Sequence, residues 1–306
     1  MKIFRNLSRI YPKLKKRTTA EPLFKIGDIV GLIGRGGYGQ IFFAVDNRGE
    51  ELKGVAIKTE LKMRKGRISK RMILEQKVLV RLQGRTHVPL LWGSGSTNRV
   101  NYIIMQLLSQ NVNDIRKQSP FKRFSRSTMA RIVIQGIAGL RDLHQIGYIH
   151  RDVKPHNLCF GLSEVSKHRL VIVDYGLARR FRYPNGRIRP LRKYCGFRGT
   201  AAYASLRIRR PSDDLTSLFY AAIEMVLGEI PWKQVRRNEE VKALKEAIVW
   251  FNRKKKPSSR LLEEEKLQIF LDFTKHRLLS DPYDWDNDFE EVIREHDINR
   301  MISKNK

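Results

Sequence analysis

With 306 residues, 41% of them hydrophobic, the chain can bury a large core, and its length suits about two structural units, which excludes disorder as the whole answer. Its 61 Lys and Arg against 31 Asp and Glu leave a net charge of +30, yet no apolar run approaches the ~18–20 residues of a membrane-crossing helix. Two cysteines, Cys159 and Cys195, exclude a disulfide framework and a structural zinc site, and they fit a reducing intracellular compartment, cytoplasm or nucleus.

Residues 1–21 read as an extended basic arm, with seven Lys or Arg and no acid in the first twenty. Ile29–Ile33 and Gln40–Val45 read as two strands joined by the turn Gly34-Arg35-Gly36-Gly37-Tyr38-Gly39. Gly54–Lys58 and Tyr102–Met105 are further strands. Between them, Met72, Leu74, Val78, Leu79 and Leu82 recur at helical spacing over Ser69–Leu82. Beyond Gln110 the period changes. Ser127–His144 predicts a long helix, with Ser125 or Ser127 to cap it and Gly147 to end it. Leu158–Phe160 and Leu170–Val173 are short apolar runs, Asp213–Leu227 is a helix apolar nearly all round, and Glu239–Phe251 and Leu261–Lys275 predict two more helices. Seven basic residues and no acid lie between Arg179 and Lys193, whereas eight acids lie between Asp281 and Asp297.

Four elements carry chemistry. Gly34-x-Gly36-x-x-Gly39 alone is weak, but between two strands it can lay backbone N–H groups over a triphosphate, where a Cβ would block close approach. It does not open a helix as the dinucleotide fingerprint does, and no P-loop sequence is present. Lys58, at the end of Val55-Ala56-Ile57-Lys58, needs an anionic partner if buried, and Glu75 on the next helix is the candidate. Asp152-x-x-x-x-Asn157 and Asp174-Tyr175-Gly176 supply two acids and an amide, hard oxygen donors suited to Mg²⁺ on a nucleotide. Asp152 can instead accept a hydroxyl proton. Taken singly, each acid is more often a surface or capping residue.

In this order the four elements resemble the protein kinases, over about residues 27–290. Lys154, two past Asp152, is similar to the Ser/Thr class. Gly196-Phe197-Arg198-Gly199-Thr200, Tyr203-Ala204-Ser205, Asp213-Asp214-Leu215 and Ser217–Tyr220, together with the absence of Ala-Pro-Glu, are similar to the casein kinase 1 superfamily. Asn101–Leu107 and Asp281-Pro282-Tyr283-Asp284-Trp285 look most like its tau-tubulin kinase branch.

The resemblance implies an α+β, bilobal kinase fold at 22–290, with a small β-rich lobe at about 22–108, a larger helical lobe at about 109–290, and a tail at 291–306. It implies ATP and Mg²⁺ as cofactors. Lys58, paired with Glu75, would contact the α- and β-phosphates, Asp152 would take the substrate hydroxyl proton, and Lys154 would steady the γ-phosphate. Asn157 and Asp174 would hold the metal, and Asp214 would brace the catalytic loop. Adenine would lie between Ile33, Ile41 and Ala56 above and Cys159 below, with Met105 behind and the Gln106–Leu108 backbone at its edge. Gly34, Gly36 and Gly39 would cover the phosphates. His150 reads as a core residue.

Tyr175 replaces the usual Phe but keeps an aromatic ring. No Ser or Thr lies between Leu177 and Gly199, so activation by Ser/Thr phosphorylation there has no acceptor. Ala202 stands where the superfamily usually has an Arg linked to phosphorylated substrates, and 206–212 is shorter than usual. The expected function is ATP-dependent phosphorylation of Ser or Thr on acidic protein substrates, in signalling, because so basic a surface attracts polyanions. The alternatives are an inactive kinase-fold scaffold and a basic nucleic-acid-binding protein. The ordered catalytic set argues against the first, and the lack of a nucleic-acid-binding motif against the second.

Overall fold

The computed structural model describes residues 15–16, 29–36, 39–47, 52–64, 66–190, 199–206, 210–235, 237–251 and 283–296. Most of the basic arm, Gly37, Tyr38, residues 191–198 with Cys195 and Arg198, Arg207, Arg209, the helix expected at Leu261–Lys275, Asp281, Pro282 and the tail from 297 onward lie outside them.

In chain order the elements are β1 (Lys15–Lys16), β2 (Ile29–Arg35), β3 (Gln40–Asp46), β4 (Lys53–Leu61), β5 (Met63–Arg64), β6 (Arg67–Ile68), α1 (Arg71–Leu82), β7 (Leu91–Ser96) and β8 (Val100–Gln106). There follow α2 (Val112–Gln118), α3 (Arg126–Gln145), β9 (Tyr148–Ile149), β10 (Leu158–Phe160), β11 (Leu170–Ile172), β12 (Arg179–Arg180), α4 (Pro211–Leu227) and α5 (Asn238–Phe251). The chain forms two compact units, residues 1–110 with 159–178, and residues 111–158 with 179–306.

The first unit is built on an antiparallel sheet in the order β1-β2-β3-β4-β8-β7. Side chains alternate across a strand, so the register assigns each to a face. Phe42, Ala44, Val55, Ile57 and Ile104 form a dry core on one face, with Leu32 and Tyr102 packed against it. The register pairs Ile41 with Lys58, Phe43 with Ala56 and Ala56 with Met105, which gives these residues to the other face. α1 buries Met72, Glu75, Val78, Leu79 and Leu82, so Glu75 takes the stripe position expected of Leu74. Its first turn is held by Glu60, which accepts from the Met72 N–H at 3.0 Å and from Ser69 Oγ. Residues 159–178 join this unit through backbone bonds. Ser109 N–H donates to the Phe160 carbonyl at 2.8 Å, and Ile172 N–H donates to the His87 carbonyl at 3.0 Å.

In the second unit, α3 starts where Ser125 Oγ accepts from the Thr128 N–H. It stops before Gly147, whose φ of +83° a side chain would resist. α4 starts at Pro211 with the Asp213 carboxylate accepting from Arg210 N–H, and ends at Gly228 with φ of +86°. Of its residues only Ser212 and Leu227 are exposed, as its apolar sequence requires. α3 and α4 approach closely at Gly136, where a Cβ would sit 3.1 Å from the Leu218 methyls. Asp284 anchors to the start of α3, accepting from the Ser125 N–H at 2.8 Å, and Tyr283 to its middle, where Gln135 Nε2 donates to the Tyr283 hydroxyl at 3.0 Å.

Candidate active site

Each unit carries one group of the expected residues. In the first, β4 presents Lys58 to the buried Glu75 of α1, with Nζ 2.8 and 2.7 Å from the two carboxylate oxygens. Nζ also donates to Asp174 Oδ1 at 2.8 Å. Burial alone would push the Lys58 ammonium down, but the Asp174 and Glu75 carboxylates outweigh it and hold it above its ordinary value. Burial pushes the Glu75 carboxyl up, Lys58 pulls it back, and Asp174 adds to the rise. One ammonium thus serves two carboxylates. Asp174 has left-handed backbone, φ 66° and ψ 68°, at the start of the short turn Tyr175–Leu177, whose Tyr175 is buried.

The expected nucleotide-binding residues all belong to this unit or its edges. Ile33 and Gly34 lie on β2, Ile41 on β3, Ala56 on β4, and Met105 and Gln106 on β8. Gly36 N–H donates to the Gly39 carbonyl at 3.0 Å, which closes the turn. The three glycines differ in what demands them. A Cβ on Gly39 would collide with the Thr59 carbonyl, one on Gly34 would make ordinary contact with Ile41, and one on Gly36 would meet nothing within 4 Å. The chain itself therefore needs only Gly39. The bond from Ser109 to Phe160 sets the strand of half-buried Cys159 beside the buried Leu108. At Gln106 the N–H already donates to the Leu90 carbonyl at 2.8 Å, so that donor is not open to a ligand edge.

The second unit holds Asp152, Lys154 and Asn157. Lys154 Nζ donates to Asp152 Oδ2 at 2.8 Å and to Thr200 Oγ1 at 2.9 Å, and Thr200 Oγ1 donates to Asp152 Oδ1 at 2.8 Å. Asn157 Nδ2 donates to the Asp152 carbonyl at 2.8 Å and to its Oδ2 at 3.3 Å, which leaves the amide oxygen as the atom Asn157 offers a cation. Asp214 of α4 accepts from the His150 N–H at 2.7 Å and the Arg151 N–H at 2.9 Å, and its Oδ2 lies 2.9 Å from His144 Nε2. The loop's backbone is fixed from a buried helix, with Arg151 at a positive φ of 71°. His150 is fully buried, and its Nδ1 accepts from the Asp152 N–H at 3.3 Å.

Sequence reasoning quoted Thr200 in a motif but gave it no role, although it completes the polar set around Asp152. It also missed Glu224 and Arg116, because an acid and a base 108 residues apart leave no pattern. They pair at 3.0 Å, and Glu224 Oε2 accepts from the Tyr203 hydroxyl at 2.6 Å.

The protein kinase domain family matches residues 28–284. A Caenorhabditis elegans protein named for casein kinase I is 39% identical over 290 residues, 87% of this chain and 84% of that protein. A Dictyostelium discoideum protein named for serine/threonine-protein kinase is 35% identical over 223 residues, and the C. elegans serine/threonine-protein kinase spe-6 is 33% identical over 181. The matches cover 71% and 58% of this chain but only 44% and 48% of those two proteins. A family match over most of the chain and a long relative at 39% identity lead to one conclusion: the chain belongs to the protein kinase family, as a serine/threonine kinase related to casein kinase 1.

Proposed function

We propose that this kinase moves the ATP γ-phosphoryl group to Ser or Thr hydroxyls on acidic proteins, with Mg²⁺ as its metal, in intracellular signalling. The observation that carries the reading is Lys58 held between Glu75 and Asp174, an ammonium fixed on a strand beside two carboxylates, the kind of group that meets a polyphosphate. In this reading Lys58 holds the α- and β-phosphates, while Gly34 and Gly36 let backbone N–H groups approach them. The space at Gly36 supports that role, since nothing in the chain itself excludes a side chain there. Asp174 and the Asn157 amide oxygen are hard donors suited to Mg²⁺, which when bound neutralises phosphate charge. Asp152 takes the substrate proton, and Lys154 steadies the γ-phosphate. Ile33, Ile41, Ala56, Met105 and Cys159 enclose adenine, and its edge falls to the backbone of Gln106–Leu108, apart from the Gln106 N–H that the Leu90 carbonyl holds.

The preference for acidic substrates rests on Arg179, Arg180, Arg182, Arg187 and Arg189, five positive charges within eleven residues. Such a stretch speeds the association of acidic partners and is screened by salt. The tau-tubulin kinase branch remains the finer placement we favour, on Asn101–Leu107 and Asp281–Trp285. The test incubates purified protein with Mg²⁺ and labelled ATP on casein and on acidic and basic peptides, at low and high salt, with Asp152→Asn as control. Phosphoserine or phosphothreonine on acidic peptides, falling with salt and absent from the control, is the expected result. Equal labelling by the control would overturn the assignment of Asp152, and a preference for basic peptides would overturn the acidic one.

A further inference from the structure

The helix α5 carries a lysine that a solvated, amphipathic helix does not need. Lys245 is 3% exposed, and Nζ donates to the carbonyls of Ala201 and Ala204, both at 2.8 Å. It also lies 5.1 Å from the centre of the Trp232 ring and 5.3 Å from that of Tyr220. Trp232 Nε1 donates to the carbonyl of Ala202, within the same turn, at 2.8 Å. Among the described residues no carboxylate forms an ion pair with Lys245, and burial pushes its ammonium down to about 8. A buried cation with no counter-ion is costly, and here two carbonyls and two aromatic faces offset the cost.

What those carbonyls belong to gives the lysine its meaning. The N–H groups of Tyr203 and Ala204 both return to the Thr200 carbonyl, at 3.1 and 3.0 Å, so 200–204 is one closed turn. On its far side Thr200 bonds Asp152 and Lys154. Gly199, at φ +109°, lets the chain pass so close that a Cβ would lie 2.5 Å from the Arg151 carbonyl. The turn is thus gripped twice, by Lys245 and Trp232 on one side and by the Asp152 loop on the other. Tyr203, bonded to Glu224, adds a third hold. This chain has no Ala-Pro-Glu after its activation segment, and at position 202 an Ala offers no side chain of its own to hold the turn.

We infer that Lys245 is a positioning residue, which holds the 200–204 turn so that Thr200 stays on Asp152 and the proton acceptor stays aligned for the substrate hydroxyl. The inference rests on the kinase reading of Asp152. It separates from a merely structural role because the two effects of removing the charge on stability oppose each other. A Met of similar length keeps the packing against Tyr220 and Trp232 and relieves the buried charge, while it leaves two carbonyls without their donor. Stability should then change little, and the turn should loosen.

The experiment compares wild type with Lys245→Met, Lys245→Gln and Lys245→Arg in the full chain. It reads Tm, steady-state kinetics with separate KM values for ATP and peptide, and amide hydrogen exchange across 199–206. For Lys245→Met we expect a loss in peptide kcat/KM of about 10–100-fold, the scale of a small misplacement near the chemistry. The ATP KM should stay within about twofold, Tyr203 and Ala204 amides should exchange faster, and Lys245→Arg should recover part of the loss. If Lys245→Met does not fold, Lys245→Gln carries the same readings. Unchanged exchange at 203–204 in a folded variant would overturn the inference, as would a peptide kcat/KM in that variant equal to wild type. A wild type that transfers no phosphoryl group would instead overturn the kinase reading, and faster exchange at the turn would still support the clamp.

Discussion

Thr200 donates a 2.8 Å hydrogen bond to Asp152 across 48 residues of chain, and Lys154 bonds both. The carboxylate proposed to receive a proton therefore has each oxygen held by a donor, one by a hydroxyl and the other by an ammonium. These fixed donors, with the Asn157 amide at 3.3 Å from Oδ2, set its orientation. Thr200→Ser should keep most of the activity because the hydroxyl survives, whereas Thr200→Ala should reduce kcat by roughly 10-fold or more, on the scale of misaligned acid–base groups. Equal activity in Ser and Ala variants would remove Thr200 from the alignment of Asp152.

Lys58→Met tests the shared ammonium. Transfer should fall by about 10²–10⁴, the range for lost charge stabilisation. Stability should change with a definite sign in pH. With Lys58 gone, Glu75 keeps its burial and its neighbour Asp174 but loses the pull of the cation, so its folded pKa rises further above the unfolded value. Such a group contributes stability below its unfolded pKa and loses it as pH rises through the folded pKa. The Tm deficit of Lys58→Met relative to wild type should therefore widen from about pH 4.5 toward neutrality. A constant deficit would place the effect elsewhere.

Two glycine variants separate a requirement of the fold from a requirement of the nucleotide. Gly39→Ala drives a Cβ into the Thr59 carbonyl, between two paired strands, and should cost roughly 1–3 kcal/mol as overpacking does. Gly36→Ala meets open space and should leave Tm within a degree or two, while the ATP KM rises if the loop backbone approaches phosphates. Thermal melts with and without nucleotide, beside ATP titrations, distinguish them. A Gly36→Ala enzyme with unchanged ATP KM would argue against that approach.

Lys245 gives a second pH signature. Its folded pKa of about 8 lies below the ordinary 10.5, so between those values the unfolded chain holds more protons than the folded one. Stability then rises with pH across that window, and below pH 8 the cost of the buried charge is fully present. The groups facing Nζ are the carbonyls of Ala201 and Ala204 and the rings of Tyr220 and Trp232. Wild type should gain Tm relative to Lys245→Met from pH 7.5 to 9.5, and a wild type that loses Tm relative to the variant over that range would contradict the burial of a charged amine.

Much of the first unit could be read from residue pattern. The alternation in Gln40–Val45 and Gly54–Lys58 places Ile41, Ala56 and Lys58 on one face, and the register agrees. Glu75 could be found because a lysine at the end of an apolar strand needs an anion. β7 could not be read, because Leu91–Ser96 contains Gly93, Ser94, Gly95 and Ser96, poor strand formers held by pairing with β8. Gly95 serves its neighbour, since a Cβ there would strike the Tyr102 ring. α2 went unseen because seven residues give no helical period, and it depends on an Asn111 cap and the buried Arg116. Lys245 looked like one more solvated lysine in a helix. Its role lies in carbonyls more than forty residues earlier, and backbone carbonyls leave no mark in a sequence.

The piece 159–178 that completes the first unit has a consequence for how the protein is made. Asp174 reaches Lys58 over a separation of 116 residues, and 48 residues of the second unit are threaded between the two parts of the first. Closing so long a loop costs entropy that local contacts do not repay. During synthesis, a ribosome that has released 110 residues holds a sheet and a helix with an unfinished charge set, Lys58 facing Glu75 without its second carboxylate. The lysine–carboxylate set should therefore assemble late, after much of the second unit's chain exists, and a fragment ending before residue 159 should hold nucleotide poorly even if its sheet has formed.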